Sequence, residues 1–174
     1  FADGARLGYG LMSGKNDISL KRLSALTDVF YLGGTKQGLL FGEAVVITRD
    51  ELKSDFRYMI KHMGGMLAKG RLLGVQFLSS LESGEYFSLS RKADEQAMRI
   101  RKAFTQKGIE MYYDSYTNQQ FPVLSNEALK KLEKKYVFSH WVRCDADRTV
   151  VRVCTSWATS DKNADELIND IKSL

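Results

Sequence analysis

Apolar residues recur along this chain at two different spacings. In "SLKRLSAL", residues 19 to 26, Leu20, Leu23 and Leu26 lie three apart, which predicts a short helix capped by Ser19. "DVFYL" at 28 to 32 and "EAVVIT" at 43 to 48 are apolar, β-branched and aromatic runs, which predict buried strands. The run between them, "GGTKQGLLFG", must turn the chain back, with Gly33, Gly34, Gly38 and Gly42 offering the backbone freedom. Helical spacing returns in "ELKSDFRYMIKHM", where Leu52, Phe56, Met59, Ile60 and Met63 share a face until Gly64 and Gly65 interrupt it. A second helical run is predicted over about 66 to 80, with Gly70 and Gly74 inside it. A third spans about 89 to 106 on Ala93, Ala97, Ile100 and Phe104, ended by Gly108.

The last third alternates. "IEMYYDS" and "QFPVL" read as short strand segments, and a helix follows over 126 to 134. "YVFSHWVR" and "TVVRVCTSW" read as a strand pair joined around "CDAD". The final helix, about 160 to 172, places Ala164, Leu167, Ile168 and Ile171 on one face, with Thr159 or Ser160 as its cap. The methionines at helical spacing, Met59, Met63 and Met66, read as core or interface. The pattern is α/β in the first part and a smaller α+β unit in the second. The expected division is 1 to 80, with a joining helix at 66 to 80, and 81 to 174.

Composition changes this picture little. The 174 residues are 44 % apolar and 27 % charged, which suits an ordinary globular chain with one good-sized core or slightly more. No run is long enough to span a membrane, so no membrane partner is expected. The net charge of +5 is spread out, and groups such as Lys130, Lys131, Lys134 and Lys135 read as a solvated helix face. A nucleic-acid binder needs a denser patch with aromatics between the charges, so no nucleic-acid partner is expected. Two cysteines, Cys144 and Cys154, and two histidines, His62 and His140, form neither a disulfide framework nor a metal spacing. A cytoplasmic setting is the expectation, and the opening "FADGAR" reads as the end of a strand, as in a fragment.

One lysine stands out. Lys36 follows an apparent strand end and two glycines, the place where open α/β sheets put their ligands. There it can form a Schiff base, bind a phosphate, or pair with a carboxylate. Asp3 and Arg6, in "DGAR", also follow an apparent strand end, and adjacent strand ends can bring all three together. A lysine amine to condense with an aldehyde, an aspartate to keep a pyridine nitrogen protonated, and an arginine for an anionic oxygen are the parts of a pyridoxal phosphate site. A partly buried salt-bridge cluster uses the same parts. Arg152 lies between Val151 and Val153 in an apolar strand and faces either a ligand or solvent. Lys69 and Arg71 read as surface charge before a subunit contact or a reach to a cofactor phosphate, Cys144 and Cys154 as structural, His140 and Trp141 as structural or exposed, and Asn118 and Gln119 as caps of a strand.

"DGARL", "DVFYLGGTKQGLLFGEAVV", "DFRYMIKHMGGMLAKGRLLGVQF", "TNQQFPVL" and "VRVCTSWATS", in this order, resemble segments of the threonine aldolase and β-eliminating lyase family of fold-type-I pyridoxal phosphate enzymes. The resemblance covers essentially the whole chain and is closest to the low-specificity threonine aldolase branch. It implies part of a large-domain sheet followed by a small α+β domain. It implies Lys36 as the lysine that holds pyridoxal 5'-phosphate, Asp3 as the pyridine-nitrogen partner, and Arg6 near the cofactor oxygen and the substrate. It implies Arg152 as the grip on the amino-acid carboxylate, with Thr35 touching the cofactor or shaping the turn. The implied reaction cleaves a β-hydroxy-α-amino acid to glycine and an aldehyde; β-elimination, transamination, or a purely structural or binding role are the alternatives. Family members are homodimers or homotetramers whose first half supplies the phosphate loop and the ring-stacking group. The chain by itself is therefore expected to be inactive and to bind cofactor weakly.

Overall fold

The computed structural model describes residues 1–174, which form two compact units: residues 1–11 with 16–89, and residues 12–15 with 90–174. No helix is long and apolar enough to cross a membrane.

The first unit opens with helices α1 (Leu7–Met12) and α2 (Leu20–Leu26). Ser19 caps α2 by accepting from the Arg22 N–H at 3.1 Å, as its side chain and position predict. Strand β1 (Val29–Gly33) pairs antiparallel with β2 (Glu43–Ile47), from Val29 opposite Ile47 to Gly33 opposite Glu43. The opening segment adds a parallel bridge from Ala2 to Phe30. Phe30 and Leu32 of β1 are buried, whereas β2 alternates between exposed and half-buried positions and is not the buried strand its composition predicts.

The single helix expected from 51 to 63 does not form. Asp50–Leu52 makes a 3-10 turn, Asp55 takes a left-handed φ of 55°, and helix α3 is limited to Phe56–His62. Aspartate is one of the few side chains that tolerate this backbone region, which lets the chain break there. The apolar face read as core or interface is not core: Met59 is 60 % exposed and Met63 82 %, and Met66 is exposed as well. Helix α4 (Arg71–Glu82) starts five residues later than the spacing predicts, after a Leu67–Gly70 turn. It lies wholly in the first unit, and so does the start of α5 (Glu85–Gln106). Tyr86 and Phe87 explain this, because they pack with Leu32, Leu39, Phe77 and Leu81 in the first unit's core. The chain passes into the second unit within α5, between Leu89 and Ser90.

The second unit is a four-stranded antiparallel sheet centred on its longest strand. Its strands are β3 (Gln119–Gln120), β4 (Val123–Ser125), β5 (Ser139–Arg143) and β6 (Arg148–Cys154). Val150 pairs with both Val142 and Val123, so β5 runs along one side of β6 while β4 and then β3 run along the other. Pro122, unable to donate a ladder bond, sits in the break between β3 and β4. "IEMYYDS" gives only a bridge from Met111 to Pro122. Beyond it Arg101 of α5 takes the Ser115 carbonyl at 2.7 Å and pairs with Asp114, which turns the segment away.

One face of this sheet, through Leu124, Val151 and Val153, packs on α5, α6 (Asn126–Leu132) and α7 (Asp161–Lys172). Ile100 and Phe104, Leu129 and Leu132, and Ala164, Leu167, Ile168 and Ile171 supply the helical side, as their spacing predicts. Ser160 caps α7 by accepting from the Asn163 N–H at 3.1 Å. Ser160→Ala is expected to lower stability by about 1 kcal/mol, read as a shifted denaturant midpoint at unchanged slope.

Candidate functional site

The first unit's site is built by two neighbouring segments that run in the same direction. The Ala2 N–H donates to the Val29 carbonyl at 3.0 Å, the Tyr31 N–H to Ala2 at 3.1 Å, and the Gly33 N–H to Gly4 at 3.0 Å. Parallel neighbours end at one edge, so the Asp3–Arg6 loop lies against the carboxyl end of β1. That edge is where open α/β sheets bind ligands. The approach requires glycine: a Cβ at Gly4 would fall 1.8 Å from the Tyr31 carbonyl oxygen, and one at Gly33 would fall 2.6 Å from that of Ala5. Gly33 and Gly34 therefore provide room rather than unusual dihedrals; in this turn it is Gly38 and Gly42 that carry positive φ, at 103° and 97°.

Lys36 stands three residues beyond β1, in the 3-10 turn Thr35–Gln37. The turn is closed by the Gln37 and Leu39 N–H groups, which both donate to the Gly34 carbonyl, at 2.9 and 3.2 Å. Its start is tied to β2, where the Gly34 N–H donates to Glu43 Oε2 at 3.1 Å. Tyr9, from α1, donates its phenol hydrogen to the main-chain carbonyl of Lys36. Thr35 and Lys36 are exposed, and Lys36 makes no ion pair. Asp3 is exposed and accepts at Oδ1 from the Ala5 N–H at 3.0 Å; Arg6 is half-buried and also without an ion pair. The loop and the turn thus meet at one sheet edge, and the salt-bridge cluster that the same residues could have formed is absent.

Arg152 belongs to the second unit. Strand alternation turns it, with Val150, to the sheet face opposite the helices. Its guanidinium carbon lies 5.6 Å from the centre of the Trp141 ring, a cation–π distance. Its terminal nitrogens reach Gln119 Oε1 at 3.4 Å and Ser139 Oγ at 3.3 Å, while its Nε is buried without a partner. These three partners are neutral and Arg152 makes no ion pair, so its charge is not matched by a carboxylate in this chain. Gln119 therefore steadies this arginine instead of capping a strand. Asn118 is buried, its Nδ2 donating to the Thr155 carbonyl at 2.7 Å, which ties two segments of the unit together. His62, Lys69 and Arg71 are exposed, and His140 pairs with Glu133 at 2.7 Å.

Three features escape a sequence reading. Tyr9 and Glu43 reach the lysine turn from 27 and 9 residues away, and nothing in "GYG" or "FGEA" marks them. Gln37 is fully buried with both amide atoms unpaired, a costly arrangement beside an exposed lysine. Burial also raises the phenol of Tyr86 well above its ordinary range, opposed by the Gly8 backbone and reinforced by nearby Glu43 and Tyr9.

No family model matches the chain. The solved structure of a Leishmania major threonine aldolase superposes with a TM-score of 0.95 at 36 % identity, over 98 % of this chain and 50 % of that one. A low specificity L-threonine aldolase of a Pseudomonas species is 28 % identical over 149 residues, covering 84 % of this chain and 42 % of that protein. A Sphingomonas wittichii serine palmitoyltransferase shares the fold, with a TM-score of 0.62 at 12 % identity over 95 % of this chain. Sequence and structure together make this chain a homologue of the threonine aldolases, built on the fold of the fold-type-I pyridoxal phosphate enzymes and spanning about half the length of the relatives it matches.

Proposed function

We propose that this chain carries the lysine-bearing part of a pyridoxal-phosphate-dependent carbon–carbon lyase that cleaves threonine or a related β-hydroxy-α-amino acid to glycine and an aldehyde. The observation that carries this reading is the lysine turn: Lys36 is exposed, makes no ion pair, and stands at the same sheet edge as Asp3 and Arg6. An amine, a carboxylate and a guanidinium without salt-bridge partners fit the cofactor's aldehyde, ring nitrogen and anionic oxygen. When bound, the cofactor supplies an electron sink for the pair released as the Cα–Cβ bond breaks.

Each residue then has a distinct task. Lys36 would hold the cofactor through its amine. Asp3 would accept a hydrogen bond from the ring nitrogen and favour its protonated form, and Thr35 would touch the cofactor or shape the turn beside it. Arg6 holds an anionic oxygen of cofactor or substrate. Arg152 offers a planar fork to the substrate carboxylate, a geometry that lysine cannot replace. The activity is proposed for this chain complemented by a segment equivalent to the remaining half of its relatives, as a homodimer or homotetramer.

The test compares products from L-threonine in the presence of pyridoxal phosphate, with the chain complemented by the other half of a threonine aldolase. Glycine with acetaldehyde is the expected outcome. Pyruvate with ammonia from serine, and no acetaldehyde from threonine, would assign a β-eliminating lyase instead. Arg152→Lys is expected to raise KM for the amino acid by about tenfold or more through loss of the bidentate contact.

A further inference from the structure

We propose that Tyr9 is a positioning residue for Lys36: its buried phenol holds the lysine's own main-chain carbonyl and so sets where the amine stands. The inference rests on the reading of Lys36 given above and deepens it. Tyr9 is 1 % exposed and sits on α1, the helix that directly follows the Asp3–Arg6 loop. Its hydroxyl donates to the Lys36 carbonyl, the one main-chain acceptor that belongs to the reacting residue itself. The remaining bonds of the turn act before or within it: Glu43 holds the Gly34 N–H, and the Gly34 carbonyl receives Gln37 and Leu39. None of these restrains the backbone at Lys36 from outside the turn. Past the turn the chain is held again, by the Leu40 N–H donating to Gln76 Oε1 at 2.8 Å and by Leu39 in the core, but without the phenol no hydrogen bond from outside the turn reaches the backbone of Lys36 itself.

The arrangement has a further consequence. Asp3 and Arg6 are joined to Tyr9 through one short stretch of chain, so one continuous segment carries both the groups proposed for the cofactor and the contact that places the amine. A misplacement of about 1 Å between reacting groups is enough to slow a covalent step by one to two orders of magnitude. Tyr9 acts through Lys36 and touches neither cofactor nor substrate in this account.

The test uses Tyr9→Phe in the whole chain, which removes one hydroxyl and keeps the buried ring. Two readouts are needed. The first is hydrogen exchange of the peptide containing residues 33 to 39, measured without cofactor; about fivefold or more faster exchange is expected in Tyr9→Phe. The second is the rate of borohydride-trapped attachment of pyridoxal phosphate to Lys36, followed by peptide mass spectrometry across cofactor concentrations. The rate at saturating cofactor is expected to fall about tenfold, while the half-saturating concentration stays the same. Ile171→Val, a modest loss of packing in the second unit's core, serves as the control for general destabilisation and should change neither readout. Unchanged exchange, or an unchanged saturating rate, overturns the proposal; so does a change confined to the half-saturating concentration. Wild-type chain that attaches no cofactor at Lys36 overturns the proposed function itself and the inference with it. Wild-type attachment that Tyr9→Phe leaves intact overturns the inference alone.

Discussion

Lys36→Ala removes the lysine-dependent absorption band near the visible edge that forms when the complemented protein is mixed with pyridoxal phosphate, and lowers turnover of L-threonine on the order of 10³-fold or more. The size of the effect follows from the position of the residue. Lys36 is an exposed amine at the carboxyl end of β1, and its turn is closed by backbone bonds that do not involve its side chain. The substitution therefore leaves the Gly34–Leu39 turn, the Glu43 contact and the Tyr9 donor in place, and stability is expected to change by less than about 0.5 kcal/mol. An unaltered melting temperature together with a lost band identifies a chemical role. A band of equal intensity in Lys36→Ala would assign the covalent attachment to another lysine. The chain alone, without the length its relatives have in addition, should give at most a weak band.

Asp94→Asn has the largest expected effect on stability, with a sign set by pH. Asp94 is 4 % exposed on α5, and burial pushes its carboxyl up to about 8. The Asn118 backbone opposes that rise, Glu95 adds to it, and neither carboxyl oxygen gains a hydrogen bond of ordinary geometry. The folded state thus keeps a proton that the unfolded chain releases near the ordinary carboxylate value. Stability from this group is complete below about pH 4 and is lost progressively as pH rises toward 8, because over that range the folded state binds more protons than the unfolded one. The total is several kcal/mol, to order of magnitude. Asparagine keeps the shape and cannot ionise, so the variant is expected to match the parent below about pH 4 and to exceed it by several kcal/mol, to order of magnitude, near pH 8.5. Denaturant midpoints measured across this range check it; parallel pH profiles for parent and variant would show that Asp94 is ionised throughout.

Asp94 also illustrates how far the sequence could be read. The face of α5 is legible from Ala93, Ala97, Ile100 and Phe104, and all four are buried. Ser90, Asp94 and Gln96 are buried beside them, because the helix is covered over a wider arc than its apolar stripe. Polar letters conceal that width. Helix α7, its Ser160 cap and the β5–β6 pair were legible for the opposite reason: periodicity, cap chemistry and turn composition agree there, although β5 begins at Ser139 rather than Tyr136 and shifts register between His140 and Val142. The stretch from 50 to 63 misleads because helical spacing continues across Asp55, whose left-handed backbone breaks the helix. The candidate lysine was visible through its glycines, although their physical reason is close approach of backbones. Its partners Tyr9 and Glu43 were not visible, since contacts across 27 and 9 residues depend on the folded turn and leave no local pattern. Arg152 could be picked out by type and place; the neutral collar of Trp141, Gln119 and Ser139 that leaves its charge unpaired could not.

The central claim is that Lys36 is the amine that holds the cofactor, and reductive trapping tests it most directly. The chain is incubated with excess pyridoxal phosphate, reduced with borohydride, digested, and mapped by mass spectrometry at every lysine. Reduction captures even a weakly populated attachment, so the result does not depend on tight binding. The account predicts label concentrated at Lys36, and reduced there by Asp3→Ala and by Arg6→Ala while the surface lysines at 130, 131, 134 and 135 stay at background. Label spread evenly over those surface lysines, with no excess at Lys36, would contradict it.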